Sequence, residues 1–144
     1  MKLRIKKRNI QEVRSAVDQI EDIDPKIKDL VIGFRVWSIP TINSCQGHPD
    51  ARPYPWLTIP FEYIKEAGRI LCEWNYRQGP TNPINPVIWI IDPTAEPRIR
   101  TLVENPYRNL SHELESLQED AIEFGQFLQG LSKDFDWSKD WFEE

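Results

Sequence analysis

Leu110, Leu114, Leu117, Ala121, Phe124, Leu128 and Leu131 recur in steps of three and four residues, the spacing that places side chains on one face of an α-helix. This is the strongest periodicity in the chain, and it predicts a long last helix with one apolar stripe. Two shorter helical patterns lie near the N-terminus. Asn9 followed by Glu12 forms an N-cap signature, and Ile10, Val13, Val17 and Ile20 then follow helical spacing. Asp24-Pro25 marks the second start, because proline at the first helical position gives up an N–H that would have no partner there. Ile27, Leu30, Val31, Phe34 and Trp37 supply a broad apolar face, and Pro40 is the expected stop. A third helix is marked by Ile64, Ala67, Leu71 and Trp74, before Gly79-Pro80 opens a segment rich in Pro and Asn.

Between these helices the pattern changes. Residues 41–45 and 56–59 read as two short strands joined by a loop containing Gly47, Pro49, Pro53 and Pro55, a hairpin with a long tip. The run Val87, Ile88, Trp89, Ile90, Ile91 has no alternation, so it predicts a strand covered on both faces, near the middle of a sheet. Residues 98–103 do alternate, with Arg98 and Arg100 on one side and Ile99, Thr101 and Val103 on the other. The element order predicts an α+β two-layer sandwich: a mainly antiparallel four-stranded sheet, helices on one face, the other face partly open.

The 144 residues, 40% apolar and 28% charged, suit a single domain with one core. Within it, residues 1–8 read as a basic N-terminal arm, 9–131 as the α+β core and 132–144 as an acidic, aromatic tail. No run reaches the roughly 18 apolar residues of a membrane span, and the basic start lacks the apolar centre of a signal peptide. A cytoplasmic protein with no membrane partner is expected. Only Cys45 and Cys72 are present, so no disulfide framework is indicated.

Net charge is −5, which does not favour general nucleic-acid binding. The charge is uneven: residues 1–8 carry Lys2, Arg4, Lys6, Lys7 and Arg8, whereas after residue 110 the basic residues are Lys133 and Lys139 among many acids. Trp137 and Trp141 stand four apart in the tail. With the last helix they offer a surface for a homodimer or another partner.

Candidate chemistry gathers at Ser44, Cys45, Gln46, Gly47 and His48, which hold one of the two cysteines and one of the two histidines. Gly47 can adopt positive φ without steric cost, so backbone N–H groups there can form an anion nest, with Ser44 and Gln46 adding hydrogen bonds. Alternatively Cys45 is a nucleophile whose thiolate is favoured by His48 or Arg52, if the loop folds back. Zinc would call on Cys45, His48, Cys72 and His112, whose irregular spacing predicts no metal site. Thr41, Asn43 and Cys45 share one strand face, as do Arg98 and Arg100, and the two polar sets are expected to meet. Arginines there, with Arg52 as a third, suit a carboxylate or phosphate. No dinucleotide fingerprint, phosphate-binding loop or His-Glu-x-x-His motif is present, and no cofactor is assigned.

The stretch Thr41, Ile42, Asn43, Ser44, Cys45, Gln46, Gly47, His48 resembles the Thr-x-x-Ser-Cys-x-Gly-His pattern of a group of small bacterial and phage proteins. It is more faintly similar to the Ser-Cys-Ser-Gly-Arg loop of the tRNA wybutosine-synthesis methyltransferase family, whose loop ends in arginine where His48 stands here. The resemblance spans about eight residues and implies a functional 44–48 loop, without a methyltransferase activity or adenosylmethionine site. The expected function is binding of a small anionic or nucleotide-like ligand near that loop. Two alternatives are a noncatalytic interaction module and a thiol-dependent enzyme using Cys45 and His48.

Overall fold

The side chain of Asn9 accepts the backbone N–H of Glu12 at 3.0 Å, and helix α1 (Ile10–Asp18) starts there and buries Val13 and Val17. The computed structural model describes residues 3–20, 22–78, 86–105 and 110–138. Helix α2 (Pro25–Val36) has its proline at the first turn and buries the predicted Ile27, Leu30, Val31 and Phe34. It ends before Pro40, because Ser38 turns left-handed at φ 69° and Ile39 N–H returns to Phe34 O at 3.0 Å. That return bond satisfies carbonyls of the last turn, as helix ends require.

Four strands follow: β1 (Ser44–Cys45), β2 (Trp56–Thr58), β3 (Trp89–Asp92) and β4 (Arg98–Thr101). They form one antiparallel sheet in the order β1-β2-β4-β3. Between β2 and β3, helix α3 (Ile64–Cys72) runs on into a π-helical segment, Glu73–Gln78. A small ribbon, β5 (Glu104–Asn105) with β6 (Leu110–Ser111), precedes the long helix α4 (Leu114–Gly130). The fold is α+β, with the helices against one face of the sheet.

Three elements depart from the sequence pattern. The 41–45 strand narrows to two residues, because Ile42 N–H donates to Thr58 O while Thr58 N–H donates to Asn43 O. Two residues thus face one, which breaks the alternation. Strand β3 lies at the sheet edge, not its middle. Its Ile90 and Ile91 are half-buried, and the Asn75 side chain bonds the backbone of Trp89. Leu110 belongs to β6 and is exposed, since His112 N–H donates to Val103 O at 2.7 Å and holds this stretch in the ribbon. The stripe of α4 therefore begins at Leu114.

Helices α2 and α4 form the centre of the helical layer. A Cβ on Gly125 would lie 2.3 Å from the backbone carbon of Asp29, so the two backbones touch and no other residue fits. Beside it, Phe124 stacks on Trp74 with ring centroids 5.1 Å apart and meets Phe34 and Trp89 edge-on. Leu57, Ile99 and Trp89 bring the sheet into this core. Leu117, Ala121, Phe124 and Leu128 of the stripe are fully buried within the chain, while Leu114 and Leu131 at its ends are half-buried. Trp137 also packs back, edge-on to Trp37 at 5.2 Å. Trp141 and residues 79–85 lie outside the described residues.

From Leu3 onward the basic N-terminal segment is docked. Leu3 and Ile5 pack against the core, Arg8 N–H donates to Val36 O, and Lys7 Nζ donates to Gln129 O and Leu131 O. A cation at the carbonyl end of α4 complements the helix dipole. No helix among the described residues is long and apolar enough to cross a membrane.

Candidate functional site

Strand register decides which predicted residues meet. Cys45 pairs with Trp56, Trp56 with Arg100, and Arg100 with Ile90. The next row on the same side holds Thr58, Arg98 and Asp92, because alternate residues of a strand share a face. Ser44, Leu57, Ile99 and Ile91 form a row on the opposite, core side. The register thus puts Cys45, Arg98 and Arg100 on one side of the sheet, with Trp56 standing between Cys45 and Arg100.

On this outer face cations lie over aromatic rings. The Arg98 guanidinium sits 4.8 Å from the centre of the Trp56 ring, Arg52 5.6 Å from the same ring, and Arg100 4.9 Å from that of Tyr54. Such contacts hold guanidinium groups in place through the ring quadrupole. Arg100 is also paired, donating from Nε to Asp92 Oδ2 at 2.7 Å. Arg98 Nε and Trp56 Nε1 are buried and have no acceptor among the described residues.

At the rim, Thr58 Oγ1 donates to Glu96 Oε1 at 2.6 Å and Asn43 Nδ2 donates to the same oxygen at 3.1 Å. The Thr58 bond first, and then that of Asn43, holds the Glu96 carboxyl below its ordinary pKa. Asn43 is therefore occupied in orienting a carboxylate. Thr41 does not join the face. After the two-for-one pairing at Thr58 its hydroxyl accepts from Arg35 Nε at 2.8 Å.

The 44–48 loop does fold back. Gly47 has φ 93°, and a Cβ there would meet Tyr54 O at 2.7 Å, so the loop backbone lies against the Tyr54 carbonyl. Gln46 is tied down at three atoms: its N–H donates to Asp24 Oδ2, its side-chain oxygen accepts Lys26 N–H, and its carbonyl accepts Gln118 Nε2. It joins the loop to α2 and α4 and does not reach the outer face. His48 is exposed at a tight turn, with Ala51 N–H donating to His48 O at 3.3 Å. Ligand atoms of Asp24, Cys45 and His48 all lie within 4.8 Å of one another. The sequence pattern gave Asp24 the role of helix cap. Yet its side chain makes no capping bond to α2.

A second basic site has no counterpart in the sequence pattern. Arg8, Arg35, Ser38, Ile39 and Pro40 line a cleft of about 240 Å³. Burial, and then the charge of Arg8, lowers the pKa of Arg35 from its ordinary value. Both arginines stand near the carbonyl end of α2, where a cation is favoured without any ligand. Burial raises the pKa of the other thiol, Cys72, which keeps it protonated and unreactive.

Comparison with protein-family models, curated proteins and solved structures finds no match.

Proposed function

We propose that the outer face of the sheet binds a small anionic, nucleotide-like ligand, with the 44–48 loop at its rim. The observation that carries this is the pair of buried donors, Arg98 Nε and Trp56 Nε1, on two residues in cation–ring contact and without an acceptor among the described residues. An unsatisfied buried donor costs about 1–3 kcal/mol, and an oxygen-bearing ligand that drew both out would recover that cost. Trp56 adds a flat ring within reach of the Arg52 and Arg98 guanidiniums, aromatic and cationic groups of the kind that recognise a base and its phosphate. Arg100 contributes less than Arg98, because Asp92 already neutralises it.

Calorimetric titration with a nucleoside monophosphate, inorganic phosphate and the uncharged nucleoside tests this. Both phosphate-bearing compounds should bind, the nucleotide more tightly. Arg98→Ala should weaken the nucleotide by roughly tenfold or more, as expected for a lost charge-assisted hydrogen bond. Binding that depends on Arg35 and not on Arg98 would move the site to the cleft and sink the proposal. Absence of binding by all three compounds would sink it as well.

A further inference from the structure

We infer that Asp24, Cys45 and His48 form a site for a thiophilic divalent cation, zinc or its analogue cobalt(II), with three protein ligands and one position left for water or a further ligand. Cys45 and His48 belong to the loop at the rim of that surface, but the inference does not use Trp56 or Arg98, the two side chains that carry the proposed function, so the two are tested separately.

One carboxylate, one thiol and one imidazole converge within 4.8 Å. Among the described residues no other group of three His, Cys, Asp or Glu side chains does so. Tetrahedral zinc with bonds of about 2.0–2.3 Å needs ligand atoms roughly 3.3–3.8 Å apart, so closure asks only for small side-chain rotations. His48 is exposed and free to make one. The mixed sulfur, nitrogen and oxygen set selects zinc-like ions over magnesium or calcium, which take oxygen ligands. Thiolate and carboxylate together match the charge of a divalent ion.

The surroundings fit ligands held in advance. Gly47 N–H donates to Cys45 Sγ at 3.3 Å and Gln46 N–H donates to Asp24 Oδ2 at 3.0 Å, so backbone donors orient both side chains, the usual outer-shell role. The Asp24 carboxylate has been turned away from capping α2 and toward the loop. Gly47, confined by Tyr54, fixes the bend that brings positions 45 and 48 of a Cys-x-x-His spacing to one place.

Cobalt(II) titration of the reduced full chain, read by absorption, decides the matter. One equivalent should bind with a thiolate-to-cobalt charge-transfer band, and zinc should displace it. Cys45→Ser should erase the band, Cys72→Ser should leave it intact, and His48→Ala and Asp24→Asn should each weaken binding by roughly tenfold or more. His48 is exposed, so His48→Ala tests the site even if the Cys45 variant unfolds. No cobalt binding, a band that survives Cys45→Ser, or wild-type affinity in His48→Ala would overturn the inference. Loss of cobalt binding with nucleotide binding intact would leave the proposed function standing.

Discussion

The side-chain amide of Asn75 brackets the backbone of Trp89: Nδ2 donates to Trp89 O at 2.8 Å, and Trp89 N–H donates to Oδ1 at 3.1 Å. Strand β3 is an edge strand, and its unpaired backbone groups would otherwise invite another chain. One amide from the π-helical segment after α3 takes the place of a neighbouring strand at this residue.

Asn75→Ala removes both bonds at once. It should destabilise the fold by about 1–3 kcal/mol and speed hydrogen exchange at the Trp89 amide. Unchanged unfolding together with unchanged exchange would show that solvent satisfies this edge equally well.

Asp120 Oδ2 accepts Trp89 Nε1 at 2.7 Å and Trp74 Nε1 at 3.1 Å. Burial nonetheless pushes its pKa up to about 6, the two indole bonds opposing the shift and Glu123 adding to it. The folded state therefore holds this proton more tightly than the unfolded chain. Its contribution is most favourable below pH 4 and is lost as pH rises toward 6, by at most about 3 kcal/mol. Asp120→Asn keeps an oxygen for the indoles and has no proton to lose. Thermal unfolding from pH 4 to 7 should show the variant gaining stability relative to wild type as pH rises. A constant difference across that range would contradict the assignment.

Two glycine substitutions should have opposite signs. Gly125→Ala drives a methyl group into the backbone of Asp29 and should cost several kcal/mol, on the scale of about 3 or more for severe core overpacking. A Cβ on Gly68 in α3 meets nothing within 4 Å, so Gly68→Ala should stabilise by about 0.5–1 kcal/mol through helix propensity. Chemical denaturation of the two variants measures both effects.

The parts of this fold that follow from local physics are legible in the sequence. The cap at Asn9, the proline start of α2 and the alternation that begins at Arg98 need only near neighbours; each stands where the pattern places it, except that the strand ends at Thr101 and not at Val103. That Arg98 and Arg100 share one side of their strand is readable for the same reason, whereas the side they share with Cys45 follows from pairing through Trp56. What the pattern misses depends on partners distant in sequence. An apolar run predicts a central strand for β3, since nothing local reveals that Asn75 will serve its edge. Leu110 continues the helical spacing, but a bond from His112 to Val103 settles its conformation. Asp24 reads as a cap from its place before Pro25, whereas its carboxylate serves Gln46 across the fold. Lys7 reads as part of a basic N-terminal arm, yet it lies on the carbonyls that end α4.

The most direct test of the central claim is nitrogen-15 NMR of the Trp56 indole and Arg98 Nε–H signals during titration with a nucleoside monophosphate. Both signals should move together and saturate at one ligand per chain, with Arg100 following more weakly and Arg35 unmoved. Shifts confined to Arg8 and Arg35, or a Trp56 and Arg98 pair that stays still while ligand binds elsewhere, would contradict the account.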